Sequence, residues 1–529
     1  VPDADLIITA ARIRTLDERR PSAHAVAVRG GLIVALDDDA LGLRGRATRT
    51  MDLGEATLTP GLVDGHLHPV IGTMTVGGLD LSGVRDVRQL RATVAEAVRA
   101  TPRGGWLVGH GLNHNVFAGE QINRMVIDDV LDGVPAAFLF YDGHSVLAGD
   151  AALRAAGITG PREFASNSAV AVDAEGVPTG HLIERDAFAP LMAVIPPPDP
   201  AEHQRRLMEV LRTMAATGLT EGHVMDLEPH ALELVQALER DGELPVRLRF
   251  AADVNPGTAD ADIDRLLQIR HSAGRRWSVG GAKLFIDGSV EGGSAWLESP
   301  DCCGANKRSF WRDPADYTRA VARLAESGVP TATHAIGDAG VRHVLDSLRG
   351  VPGTARHRIE HIETLGDDQI PRFAAQGVIA SMQPAHATYT RADHTDAWST
   401  RLGEARAGRA WRCRDIVESG AVLVLGSDWP VAPLDARLTL ATAQLRRLPG
   451  TTAPPVRAEQ GLTALQSLQG MTMAPAFAAG LEGSAGRIAP GCRADLTAFT
   501  LDPLVAPPDE LAEAPIRATI TAGTLVHSS

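Results

Sequence analysis

The chain has 529 residues, 44% of them hydrophobic and 22% charged, with a net charge of −14. Such a composition belongs to a globular protein too long for one hydrophobic core, so about two to three domains are expected. The acidic balance disfavours nucleic acid as a partner, and no apolar run approaches the roughly 18 to 20 residues of a membrane span.

The opening residues, VPDADLIITAARIRTLDERR, lack the basic segment and apolar core of a signal peptide. Four cysteines, two of them adjacent (Cys302, Cys303), make neither a disulfide framework nor a CxxC metal knuckle. A reducing, cytoplasmic setting follows from that usage. Short β-rich pieces come first, with Gly30-Gly31 predicting a hairpin turn. The last stretch, from Gly486 through ADLTAFTLDP to IRATITAGTLVHSS, has the same texture, which predicts one β-sandwich built from both chain ends (1–56 and 481–529).

Next comes TLTPGLVDGHLHP, Thr57 to Pro69. His66 and His68, one residue apart on an extended strand, point to the same face. Two neutral imidazoles converging at a strand's end make half of a divalent-metal site. Between His68 and the next strand signal near Leu219 lie about 150 residues, far more than a βα connection needs. Their own helix (VRQLRATVAEAVRA), apolar strands and Pro-rich exit (Ile195 to Pro200) predict an insertion, at about 75–205, over the barrel mouth.

Beyond it, strand signals GLTEGHVMD, PVRLRFAAD, WSVGGAKLFIDGS, PTATHAIGD, HRIEHIE, VIASMQP and AVLVLGSDWP alternate with amphipathic helices. Eight strands counted with the His66 strand predict an α/β fold, a (β/α)₈ TIM-like barrel over 57–480, with its chemistry at the C-terminal strand ends. An open doubly wound sheet is the alternative, but no glycine-rich phosphate loop follows the first strand. Lys283 lies within the GAKLFIDGS strand, while His334, His361 and Asp428 close three others. Each has an ordinary reading taken singly, as a solvated histidine, a turn-forming aspartate or a snorkelling lysine. Together with His66 and His68, in this order and each on an apolar strand, they do not arise independently.

The pieces TPGLVDGHLHP, GAKLFIDGS, ATHAIGD, RIEHIE, LGSDWPVAPLDAR and GRIAPGCRADL resemble the amidohydrolase superfamily, specifically the type-3 branch that includes N-substituted formamide deformylases. The resemblance spans nearly the whole chain. It implies His66, His68, Lys283, His334, His361 and Asp428 as ligands of one or two divalent ions, zinc by default, with Lys283 N6-carboxylated if it bridges two. It also implies hydrolysis of an amide-like C–N bond, N-acyl or N-formyl, by metal-activated hydroxide, with Asp428 moving the proton. Deamination or cyclic-amide opening at the same site is the alternative, and a non-catalytic binding protein on the same barrel is the rival from another class. His144, Glu184, His223 and His386 are candidates for substrate contact, and Asp287, Glu360 and Glu363 for orienting the imidazoles. The expected partner is a small-molecule substrate, and a homodimer fits a large acidic barrel.

Overall fold

A computed structural model describes residues 2–227, 230–258 and 260–529. Its centre is a nearly closed barrel of eight parallel strands. They are β1 (Leu62–Leu67), β2 (Leu219–Val224), β3 (Arg247–Asp253), β4 (Trp277–Phe285), β5 (Thr331–Ala335), β6 (Arg358–His361), β7 (Ile379–Met382) and β8 (Leu423–Leu425). Each pairs with the next in chain order. Every strand segment picked out in the sequence thus takes its expected place. β1, β2 and β5 are buried along their whole length, as parallel strands covered by helices must be. Leu62, Leu67, Leu219, Phe250 and Leu284 belong to the continuous core between strands and helices.

The helices between strands start at clear signals. Asp313 caps the helix Pro314–Glu326 by accepting from the Ala315 N–H, with proline at the first turn. Asp199 does the same for Pro200–Ala216, so the Pro-rich exit is a helix start.

The seam between β1 and β8 closes through backbone bonds just beyond the strands. The Asp428 N–H donates to His66 O at 2.7 Å, and the His68 N–H to Trp429 O at 2.8 Å. Gly65 makes this approach possible, because a Cβ there would lie 2.2 Å from Val424 Cγ1 and 2.8 Å from Leu425 O. Gly65→Ala is therefore expected to destabilise the chain by about 1–3 kcal/mol through overpacking. A urea midpoint equal to that of the parent chain would rule the seam out as a tight contact.

Both chain ends meet in a second, eight-stranded sheet, joined where Thr57–Pro60 pairs antiparallel with Leu496–Phe499. Gly30 and Gly31 take φ of +57° and +76° in a two-residue hairpin turn, a conformation that excludes most other residues. A third sheet of six strands runs from Leu79 to Ile183 and packs its own core around Leu81, Leu90, Phe117 and Phe138. No helix among the described residues is long and apolar enough to cross a membrane.

Candidate metal centre

His66 and His68 leave the end of β1 toward the barrel axis, and each is fixed from behind by a carboxylate. The His66 Nδ1–H donates to Glu360 Oε2 at 2.7 Å, and the His68 Nδ1–H to Asp226 Oδ2 at 2.8 Å. Such bonds set the tautomer and direct each Nε2 lone pair to the opposite side. There both Nε2 atoms meet Asp428 Oδ1, at 3.4 and 3.2 Å. The other Asp428 oxygen lies 3.8 Å from His361 Nδ1 and 3.8 Å from His386 Nε2. Lys283 Nζ reaches to 3.5 Å from His66 Nε2. The His334 ring lies 4.3 Å from that of His361, and its Nε2 is buried without a hydrogen-bond partner. The structure thus gathers all six expected residues at the C-terminal mouth of the barrel.

The donor set suits a divalent ion. Ligand atoms of His66, His361 and Asp428 lie within 4.8 Å of one another, all three residues buried. Imidazole and carboxylate ligands without thiolate fit zinc, manganese, iron or nickel. The charges agree with that use. Burial pushes the Asp428 carboxyl upward, but His66, His68 and His386 outweigh it and hold it well below the usual carboxylate range. Burial lowers His66 to about 4 and lowers His334 and His361 well below the ordinary imidazole value. Burial would lower His68 too, but its bonds to Asp226 and Asp428 prevail and push it up to about 9. Burial also lowers Lys283, favouring its neutral amine.

Two of these residues sit on strained backbone. His361 and Asp428 have φ of +73° and +59° at the ends of apolar strands, a region that costs a non-glycine residue about 1 kcal/mol or more. The left-handed turn at His361 has a local consequence. Strand alternation already turns Arg358 and Glu360 into the barrel, and the reversal brings His361 inward as well.

The second group of candidates divides. His144 lies on the wall of the same chamber, its ring 4.8 Å from that of His334, and its Nδ1 is 3.0 Å from Glu184 Oε2. Glu184 thus stands behind His144 and also accepts from Ser294 Oγ. His386 lines the chamber beside Asp428. His223 is not brought to it. It belongs to β2 itself, deeper than the strand ends, and takes a hydrogen bond from Arg358 Nη1 at 3.1 Å. The residue that strand contributes to the centre is Asp226, which the sequence reading passed over although it closes GLTEGHVMD as Asp428 closes VLVLGSD.

The expected orienting carboxylates also differ in role. Glu360 holds His66, not its neighbour His361. Asp287 accepts the backbone N–H groups of Trp296, Ile336 and Gly337, bracing the turn after His334. Glu363 accepts from Trp398 Nε1 at 2.7 Å. Tyr141 and Glu291, neither of which the sequence reading singled out as a site residue, share the chamber wall and a hydrogen bond.

Comparisons with known proteins bear on the fold and the family. Protein LONG AFTER FAR-RED 3 of Arabidopsis thaliana is 28% identical over 513 residues, covering 93% of this chain and 86% of that protein. N-substituted formamide deformylase of Arthrobacter pascens is 26% identical over 545 residues, with 98% of both chains covered. Among solved structures, an uncharacterized metal-dependent hydrolase of Pyrococcus horikoshii OT3 superposes with a TM-score of 0.72 at 23% identity, covering 95% of this chain and 99% of that one. The model of the amidohydrolase family matches residues 49–527. By that match, over nearly all of its length, the chain belongs to the amidohydrolase family.

Proposed function

We propose that the protein hydrolyses the C–N bond of a small amide-like molecule, an N-acyl or N-formyl amine. The observation that carries this reading is the meeting of both His66 and His68 Nε2 atoms on one Asp428 oxygen, each ring anchored from behind by its own carboxylate. Similarity to a formamide deformylase over 98% of both chains supports the bond type. His66, His68, His334, His361 and Asp428, with Lys283 in its N6-carboxylated form, would hold one or two divalent ions, zinc by default. Bound there, the metal would polarise the carbonyl and lower the pKa of a water toward neutrality.

The chain's own groups supply the rest. Asp428, ionised and open to the chamber, takes a proton from water and returns it to the departing nitrogen. His144, held by Glu184, and His386 stand on the chamber wall where a carbonyl oxygen gains negative charge. The same reading keeps the chain in a reducing cytoplasm, in line with its four free cysteines. It also takes the sheet of both chain ends as a β-sandwich (1–56 and 481–529) supporting the barrel (57–480), in a homodimer.

The test is metal analysis joined to a panel of N-formyl, N-acyl and cyclic amides. The expected result is stoichiometric metal and equal release of acid and amine, both lost on chelation and restored by zinc. Protein grown with supplement yet lacking metal would overturn the hydrolase reading. Release of ammonia alone would move the assignment to deamination.

A further inference from the structure

Away from the mouth, at the N-terminal ends of β5 and β6, lies a second small cavity of about 30 Å³. Strands β2 to β6 wall it, and Ala478 of the short helix Met473–Ala478 closes it from below. Its charged and titratable lining is Arg249, Arg356, Arg358 and His223, and every other lining residue is small or apolar. Three arginines and no carboxylate therefore share one cavity, in a chain whose net charge is −14. None of the six proposed metal ligands lines it.

Two of the arginines are matched by a carboxylate that stands outside the cavity, Arg358 by Glu360 and Arg356 by Glu482. Arg249 is not. It forms no ion pair among the described residues, and Glu221 on the neighbouring strand lies instead 3.5 Å from Arg493. The fold nevertheless makes a place for this guanidinium. Its Nη2 donates to Gly280 O at 2.9 Å, and a Cβ on Gly280 would lie 2.2 Å from Arg249 Cζ, so only glycine leaves it room. Burial disfavours the charge, and although Glu221 opposes that, Arg358 and Arg493 add to it and hold Arg249 below its ordinary value. An arginine does not escape by giving up its proton. A half-buried charge without a partner is costly, and the cost falls when an ion of opposite sign settles beside it.

We infer that this cavity binds one small monovalent anion, about the size of chloride, held by the Arg249 guanidinium in the positive field of Arg356 and Arg358. A space of about 30 Å³ exceeds the roughly 10–15 Å³ that one water requires, and a water would fill it without offsetting its charge. An anion does both. The site is independent of which bond is cleaved at the barrel mouth.

The probe is potassium chloride, added to the metal-loaded full chain in urea titrations at constant ionic strength. Potassium gluconate, whose anion is too bulky for the cavity, makes up the difference. Raising chloride from about 1 to about 100 mM is expected to increase the ratio of folded to unfolded chain about tenfold, as an anion bound only by the native state does with a Kd of about 10 mM. Arg249→Met keeps the apolar stem and drops the charge, so its ratio is expected to change less than about twofold. Stability of the parent chain that ignores chloride would overturn the site. An equal dependence in Arg249→Met would overturn it too, by placing the anion elsewhere. Should that variant not fold, crystals of the parent chain soaked in sodium bromide decide by anomalous scattering. A bromide peak beside the Arg249 guanidinium supports the site, and water alone at that position sinks it.

Discussion

Asp428→Asn is expected to lower turnover by about 10²–10⁴-fold, the usual worth of a positioned proton-transfer group, while the metal content of the protein persists. The reason lies in what asparagine keeps and what it loses. It preserves the shape of the side chain and an oxygen that can face the Nε2 atoms of His66 and His68, now 3.4 and 3.2 Å from the carboxylate. It cannot take up a proton. In the parent chain the three neighbouring imidazoles outweigh burial and keep Asp428 ionised at neutral pH, ready to accept one. The remaining ligands are all imidazoles or Lys283, so ion binding survives the change. Steady-state rates with metal analysis on the same sample are the check. Activity within tenfold of the parent would remove Asp428 from the proton path.

How much of this centre could be read from the chain depended on whether a residue's neighbours in sequence are also its neighbours in space. His66 and His68 were legible because a strand's twofold period puts both on one side. Lys283, His334, His361 and Asp428 were legible because parallel barrel strands all end at one mouth. The barrel itself was legible for the same reason, each strand being an apolar run followed by an amphipathic helix. The supports behind the ligands were not. Glu360 stands next to His361 in sequence, yet it serves His66, 294 positions away. Strand alternation argues that Glu360 and His361 face opposite sides, and the left-handed φ of His361 cancels that argument. His223 and Asp226 show the converse failure. The strand that carries them was found, but choosing between them required knowing how far up the barrel wall each residue stands. Neither Tyr141 nor Glu291 could be singled out, because their place on the chamber wall is set by how the insertion and the loop after β4 settle over the mouth.

Glu360→Leu is expected to cost about 3–5 kcal/mol of stability, as removal of one partner from a buried ion pair does. Arg358 and Glu360 are 5% and 0% exposed, and the guanidinium spends its hydrogen bonds on Glu360, Gly65 O, Ser381 and His223. Without the carboxylate, a full positive charge remains in the barrel interior. The same change frees the His66 ring, so metal affinity falls about 10–100-fold, as it does when an outer partner of a ligand is lost. These two consequences can be separated. In Arg358→Leu/Glu360→Leu the stranded charge is gone, so much of the stability returns, while His66 still lacks its anchor and metal affinity stays low. The pH dependence has a defined sign. Burial raises Glu360, but Arg358 and His66 outweigh it and hold its carboxyl well below the usual carboxylate range. The stability it contributes is therefore complete above about pH 4.5 and is lost as pH falls toward the depressed value, so the single variant should show a shallower loss of stability in acid. Urea titrations at neutral and acid pH, with metal competition at neutral pH, measure all three effects. A single variant less than about 1 kcal/mol below the parent would mean that the guanidinium finds water or another acceptor, and that this pair does not hold the floor of the metal centre in place.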